Sequence, residues 1–299
     1  MAAIVGKIWQ GYQIVFDDWT DPRTKSWPLL ARPYQGLIIL GLYLMLILKW
    51  GPKWMKDRPP FNIDKLLIVY NAIQVLFCLY LFLKSISPWT RYKWICEPVD
   101  RNNSEEAVHI ARLCYYYYLL KLIDLMDTVF FVLRKKFNQV SFLHVYHHTG
   151  MVMITWGNAT YLPGGHGTLV GVINLFVHIV MYSYYLLTVA VPSVKKSIWL
   201  KKHITQLQIL QFFWCVVHMG TIVFVPDCAY PRWVAAVFLP QNLFMLLLFI
   251  DFYIKTYIKK KPVSNKEPEL NQFGNGLQKN YGKQNCNSKK SNSNKEHDS

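Results

Sequence analysis

The chain has 299 residues, of which 53% are hydrophobic and 17% charged, whereas about 25% of the residues in an ordinary soluble domain are charged. This composition excludes an intrinsically disordered protein, and six cysteines in a chain of this length exclude a small disulfide scaffold. The net charge of +16 comes from Lys and Arg that lie between apolar runs rather than along one polar face. This pattern excludes a nucleic acid as partner and predicts an all-α, multi-pass membrane protein with basic loops.

Seven apolar stretches follow one another along the chain. Each is close to the roughly 20 helical residues that cross a hydrocarbon core of about 30 Å, and Pro- or Gly-containing connectors separate them. The predicted transmembrane helices cover residues 33–50, 63–84, 110–133, 138–157, 167–190, 204–225 and 233–254. They form one membrane domain, residues 1–258. Residues 259–299 are rich in Lys, Asn and Ser and are predicted to form a disordered basic tail.

The distribution of basic residues predicts how these helices are oriented. Lys and Arg are concentrated beside the loops after the first, third, fifth and seventh spans, which places these loops and the tail in the cytosol. No cleavable signal is expected, because the first thirty residues contain several acidic residues and no continuous apolar stretch. Cys96 and Cys228 then both lie in lumenal loops. We expect a disulfide between them, with two unpaired thiols as the alternative.

Polar side chains within the predicted spans are the strongest functional signal, because a charge inside the bilayer is costly. The third span carries three ionisable residues along one flank: Lys121, Asp124 and Asp127. The fourth carries three imidazoles on one helical face: His144, His147 and His148. The fifth and sixth spans add further polar stripes: Asn174, His178 and Tyr182, then Thr205, Gln208 and Gln211.

These polar groups lie at overlapping depths, roughly 6 to 20 Å from the cytosolic ends of their helices at a rise of about 1.5 Å per residue. The overlap favours one shared cavity that opens toward the cytosol. Simpler interpretations stay open for single residues. Lys121 and Asp124 can form a structural buried ion pair, and a lone histidine such as His218 is more often a core residue.

Three histidines on one face first suggest a metal. A di-iron oxygenase, however, requires several histidine boxes, and four of the nine histidines lie at span ends or in the tail. A single zinc is disfavoured, because the adjacent His147 and His148 point about 100° apart on a helix. No metal and no cofactor are therefore predicted, and a metal-dependent lipid desaturase or hydroxylase is kept as the alternative function.

The preferred interpretation is an imidazole that acts as a base or nucleophile, with Asp127 or Asp124 fixing its tautomer. A neutral histidine in a desolvated cavity can attack a thioester and give an acyl-imidazole, which is itself an acyl donor. Cys215, with His218 three residues later, is a further candidate nucleophile pair, although no other polar group flanks it. A seven-span receptor or transporter fits the hydropathy but gives no reason for three imidazoles in one cavity.

Four blocks carry a family resemblance, in order and spacing: Lys121 to Lys136, His144 to His148, Asn174 to Tyr185 and Thr205 to Phe212. Together they resemble the signature blocks of the very-long-chain fatty acid elongases, animal branch. The resemblance covers all seven predicted spans and is far more specific than a lone His-x-x-His-His motif. One position departs from the pattern, since Asp124 stands where the family normally has Glu.

The resemblance implies a seven-helix enzyme of the endoplasmic reticulum that encloses an acyl tunnel. Such an enzyme condenses a long acyl-CoA with malonyl-CoA, releases CO2 and CoA, and leaves a 3-oxoacyl-CoA that is two carbons longer. By block matching, His147 is the expected acyl-accepting nucleophile, supported by His144, His148, His178 and Asp127. The expected substrate-binding residues are Lys121, Asp124, Asn174, Tyr182, Gln208 and Gln211, with Lys201, Lys202, Lys135 and Lys136 for the CoA phosphates.

The same resemblance implies the partners. They are acyl-CoA and malonyl-CoA as substrates, the lipid bilayer, and the reductase and dehydratase enzymes that complete the elongation cycle. The sequence leaves open whether the chain forms a homo-oligomer.

Overall fold

A computed structural model of the chain describes residues 1–259, and all secondary structure in that part is helical. The all-α membrane class predicted from the sequence is confirmed. Apart from its first residue, the predicted disordered tail, residues 259–299, lies outside the described residues.

The helices are numbered in chain order. They are α1 (Ala2–Gln13), α2 (Pro33–Met45), α3 (Gly51–Met55), α4 (Asp64–Trp89), α5 (Glu105–Asp124), α6 (Met126–Leu133), α7 (Phe142–Tyr161), α8 (Thr168–Ala190), α9 (Pro192–Lys196), α10 (Ile198–Phe224) and α11 (Trp233–Tyr253). Short π-helical turns continue α1, α2 and α11, at Ile14–Asp18, Leu46–Trp50 and Ile254–Ile258.

Five helical segments within the described residues are long and apolar enough to cross a membrane. They are Pro33–Met55, Asp64–Trp89, Thr168–Ala190, Ile198–Phe224 and Trp233–Ile258. The other two predicted spans correspond to α5 with α6 and to α7, the helices that carry the carboxylates and the three clustered histidines. Their polar side chains lower the hydropathy of these helices, so their passage through the bilayer stays a prediction.

Several helices begin or end beyond the predicted spans. Helix α5 begins at Glu105 rather than near residue 110, because the Ser104 side chain accepts a hydrogen bond from the amide of Ala107. Helix α10 begins at Ile198 rather than near residue 204, and Ser197 caps it in the same way. Hydropathy locates the apolar part of a helix, whereas caps set its ends.

The helices that pack most closely in the bundle are not always neighbours in the sequence. Helix α4 packs along α8, α10 along α11, and α5 along α7. One buried cluster, which includes Tyr43, Tyr118 and Val152, joins α2, α5 and α7. Large apolar side chains such as Leu76 and Leu210 are 66% and 59% exposed on the outer faces, as expected for a surface that contacts lipid.

One end of the bundle, which we call the disulfide end, contains the bond between Cys96 and Cys228. This disulfide joins the connector between α4 and α5 to the connector between α10 and α11. The N-terminal segment also closes this end, since the Asp21 amide donates to the carbonyl of Thr160 at 2.8 Å. The opposite end carries the basic residues near the start of α10 and the end of α6, and we call it the basic end.

Candidate active site

A buried carboxylate at the end of α5 connects three helices. Oδ1 of Asp124 accepts hydrogen bonds from Nε2 of Gln74 on α4 at 2.8 Å and from the hydroxyl of Tyr182 on α8 at 3.1 Å. Its Oδ2 accepts from Nζ of Lys121 at 3.0 Å. Asp124 and Lys121 are each only 2% exposed. The predicted ion pair is therefore formed in a site withdrawn from solvent, where such charge-assisted bonds are strong.

Tyr182 places the two carboxylates of the third predicted span next to each other. Its hydroxyl lies 2.8 Å from Oδ2 of Asp127 as well as 3.1 Å from Oδ1 of Asp124. A phenol has one proton, so the two carboxylates share one donor. Tyr182 is completely buried and lies behind the cavity wall rather than on it.

The three histidines of α7 form one contiguous group. The ring centroids of His144 and His148 are 4.2 Å apart, and those of His147 and His148 are 5.5 Å apart. Nε2 of His144 lies 2.9 Å from the hydroxyl of Thr128, which lies 2.8 Å from the hydroxyl of Tyr43. This chain of polar contacts engages one nitrogen of His144 and anchors the group to α6 and α2.

His178 on α8 lies between the histidine group and the carboxylates. Its Nδ1 is 3.6 Å from Oδ2 of Asp124, longer than a hydrogen bond, and it makes no hydrogen bond within the described residues. Among the ion pairs within the described residues, Asp124 rather than Asp127 is the carboxylate near His178. Asp124 reaches Lys121 directly and stops short of His178.

A cavity extends from the histidine group toward the disulfide end. It contains about 1480 Å³ of space between atoms, part of it continuous with the exterior. Of the four histidines discussed above, His147 lines this cavity, together with the amide side chains of Asn174 and Gln211. Most of the remaining lining is apolar, including Met151, Cys215 and Met219. A mostly apolar lining with a few polar groups suits a hydrocarbon ligand whose polar head lies at His147.

The cavity reaches the disulfide end, where Tyr230 lines it. Tyr230, which is 2% exposed, lies in the same buried cluster as Cys96 and Cys228. Its hydroxyl lies so close to Gly167 that a Cβ there would be 2.5 Å away. Gly165 allows the preceding turn, because its φ of +65° belongs to the left-handed region that glycine tolerates.

The remaining predicted binding residues divide into two groups. Oδ1 of Asn174 accepts from the hydroxyl of Tyr117 at 2.8 Å, and its Nδ2 lies 3.5 Å from Oε1 of Gln211, so both amides are held at the cavity wall. Gln208 does not line the cavity. Its Nε2 faces the sulfur of Met181 at 3.7 Å instead, because Gln208 lies almost one turn nearer the basic end of α10.

The four lysines predicted to bind CoA phosphates lie at the basic end. Lys201 and Lys202 are in the first turns of α10, and Lys201 is exposed. Lys135 and Lys136 lie in the turn after α6, where Nζ of Lys135 donates to the carbonyl of Lys56 at 3.0 Å. All four remain candidates for an anionic ligand at that end.

The alternative nucleophile pair is contradicted by the geometry of His218. Its Nε2 lies 3.0 Å from the carbonyl oxygen of His166, and Nε2 of His166 lies 3.0 Å from the carbonyl oxygen of His218. The two rings stack with centroids 3.8 Å apart. This reciprocal pair is structural, as expected for a core histidine, and leaves Cys215 without a base. Within residues 1–259, no three His, Cys, Asp or Glu side chains form a metal-binding group.

A comparison with known families identifies the chain. The sequence model of the ELO family, described as GNS1/SUR4, matches residues 28–265. The chain belongs to the ELO family. Three relatives show how far the similarity extends through this family. Very long chain fatty acid elongase 7 of Drosophila melanogaster is 39% identical over 270 residues, which cover 90% of this chain and 82% of the relative.

Two mammalian ELO proteins are equally similar. Very long chain fatty acid elongase 7 of Rattus norvegicus is 40% identical over 272 residues, or 89% of this chain and 95% of the relative. Very long chain fatty acid elongase 4 of Homo sapiens is 39% identical over 274 residues, or 89% and 86%. The similarity thus covers nearly the whole length of each protein.

Sequence reasoning missed several polar residues of this ELO-family site, above all Gln74. Gln74 lies in the middle of α4 and is 1% exposed. It donates to the carboxylate of Asp124, whose side chain is one methylene shorter than the Glu that the family normally has at this position. Thr128 and Tyr117 were also missed, although they contact His144 and Asn174. Gln74 is an amide within an apolar span, the same signal that singled out Asn174, Gln208 and Gln211, so it could have been found in the same way.

We expect Gln74→Ala to lower the turnover number about tenfold, the effect of losing one hydrogen bond to a charged group, with little change in the Michaelis constant for the acyl substrate. Gln74 does not line the cavity, so it acts by positioning Asp124. Steady-state kinetics of the purified variant measure both constants. The matched control is Asn71→Ala, because the Asn71 amide is one turn away on α4 and bonds to the carbonyl of Leu67. Equal kinetics for the two variants would remove Gln74 from this role.

Proposed function

We propose that this protein condenses a long-chain acyl-CoA with malonyl-CoA to give a 3-oxoacyl-CoA two carbons longer, with release of CO2 and CoA. The observation that carries the proposal is the placement of His147, an imidazole on the wall of a mostly apolar cavity. The names of relatives about 40% identical over most of the chain support the same activity.

The first half-reaction loads the acyl group. A ring nitrogen of His147 attacks the thioester carbon, the carbon–sulfur bond breaks, and CoA leaves with the proton of the imidazole. The amides of Asn174 and Gln211 line the cavity beside His147 and supply donors for the oxyanion. The apolar lining keeps water from the acyl-imidazole that results.

The second half-reaction forms the carbon–carbon bond. Malonyl-CoA loses CO2 and leaves an enolate, whose carbon attacks the acyl carbonyl. The bond between that carbonyl and His147 breaks, and the imidazole takes up one proton, so each cycle consumes one proton. The ring of His148 contacts those of both His144 and His147, so the neighbouring imidazoles are candidates for moving protons to and from His147. His178 lies 3.6 Å from Asp124, the carboxylate that would orient it once the substrate is bound.

The proposed orientation places the basic end in the cytosol and the disulfide end in the lumen of the endoplasmic reticulum. In this orientation Lys201, Lys202, Lys135 and Lys136 bind the phosphates of CoA, because lysine is a common ligand of phosphate groups. The product would pass to the reductase and dehydratase of the elongation cycle. No resident metal or cofactor is needed for either half-reaction.

Labelled malonyl-CoA tests the proposal directly. Membranes that contain the expressed chain are incubated with acyl-CoAs of several lengths and [14C]malonyl-CoA, without NADPH, and the products are separated. We expect label in 3-oxoacyl-CoA and no loss of activity with a chelator. No label above that of membranes without the chain would contradict condensation. Oxidation of the acyl chain that stops when iron is chelated would favour the desaturase or hydroxylase.

A further inference from the structure

A second groove lies near the disulfide end and shares no lining residue with the cavity at His147. It contains about 780 Å³ of space between atoms, part of it continuous with the exterior, and lies between the N-terminal segment and the first turns of α5. Its lining is partly basic and partly aromatic: Arg23, Trp27, Pro28, Asn103, Val108, Arg112, Tyr115 and Tyr116. The proposed condensation uses none of these residues.

The two arginines of the groove differ in whether a carboxylate already pairs with their charge. Arg23 donates from Nη2 to Oδ2 of Asp21 at 2.8 Å and from Nε to Oδ1 at 2.9 Å, so its charge is already compensated. Arg112 is exposed and has no ion-pair or hydrogen-bond partner within residues 1–259. The groove therefore presents one uncompensated guanidinium, which is suited to bidentate binding of a phosphate.

The position of the groove relative to the bilayer defines the kind of anion. Trp27 precedes the apolar helix α2 by a few residues. The centroid of its ring lies 5.2 Å from that of Tyr115, whose ring in turn contacts that of Tyr116. Trp and Tyr at the start of an apolar helix mark the level of lipid headgroups. Arg112 lies two helical turns into α5, roughly 10 Å from Glu105, at the same level as these rings.

From this juxtaposition we infer that the groove binds the phosphate of a membrane phospholipid, with Arg112 as the ligand for the phosphodiester. The aromatic rings and Val108 contact the glycerol and the first methylenes, while Asn103 supplies a polar side chain at the outer edge. A lipid fits better than a soluble phosphate, because about half of the lining residues are apolar or aromatic. The site belongs to the leaflet at the disulfide end.

Native mass spectrometry of the full chain in detergent tests this site. The delipidated protein is titrated with a phosphatidylglycerol of defined chains, and retained lipids are counted. We expect Arg112→Gln to retain this lipid about tenfold more weakly than the wild type, as loss of a charge-assisted contact predicts. Arg112→Lys should recover part of the binding, since the charge remains without the planar fork.

Controls separate this role from a general loss of structure. Arg91→Gln removes an exposed arginine at the same end that is already paired with Glu106, and it should retain lipid like the wild type. Condensation activity of Arg112→Gln should be unchanged, which shows that the variant is folded. Equal lipid retention by the wild type and Arg112→Gln would overturn the proposal. Displacement of the lipid by millimolar inorganic phosphate would overturn the choice of a lipid.

Discussion

Replacement of His147 by alanine should lower condensation by roughly 10³-fold, within the range for loss of a nucleophile or general base. The imidazole is the candidate acyl acceptor on the cavity wall, and neither Asn174 nor Gln211 can form an acyl intermediate that transfers its acyl group onward. The rate of [14C]malonyl-CoA incorporation by the purified protein measures the change. Binding of acyl-CoA should persist, because the apolar lining is unchanged.

His109→Ala is the matched control for this substitution. His109 lies near the start of α5, only partly buried, and lines neither the cavity nor the phospholipid groove. This variant should keep the wild-type rate. Condensation by His147→Ala within about twofold of the control would exclude His147 as the acyl carrier.

Replacement of Asp124 by alanine should destabilise the protein by about 3–5 kcal/mol, the cost of leaving one member of a buried ion pair unpaired. Lys121 would keep its charge at 2% exposure, and Gln74 and Tyr182 would lose their common acceptor. The apparent melting temperature in detergent and the yield of monodisperse protein measure this loss.

The double variant Lys121→Met with Asp124→Leu separates stability from catalysis. Removal of both charges with similar side-chain volume should restore most of the stability, because replacing a whole buried ion pair by apolar residues is often neutral. Activity should stay low, since His178 then lacks its nearest carboxylate. A single Asp124→Ala variant as stable as the wild type would show that the pair does not hold α5 in place.

Sequence patterns predicted the features that depend on one helix alone, namely where a helix lies and which side chains share one of its faces. The spacing of His144, His147 and His148 placed three imidazoles on one face, and the structure brings their rings together because helical periodicity alone fixes that geometry. Apolar runs located the helices for the same reason. Serine is a common N-cap, but the predicted helix ends were taken from hydropathy alone, which does not detect caps such as Ser104 and Ser197.

Contacts between helices could not be predicted in this way. Asp124 meets Gln74 because α4 packs along α8 and turns that face toward α5, which depends on the whole bundle. The same packing turns Gln208 toward Met181, although its spacing from Gln211 suggested a common site. Spacing along a helix fixes the face of a side chain, whereas the neighbour it meets depends on how the helices are rotated.

The most direct test of the account is the chemical state of His147 during turnover. Purified protein is incubated with an acyl-CoA in the absence of malonyl-CoA, digested, and analysed by mass spectrometry. We predict one acyl group on the peptide that contains His147, lost on addition of malonyl-CoA and absent from His147→Ala. An acyl group on Cys215, or active protein that never carries an acyl group, would contradict the account.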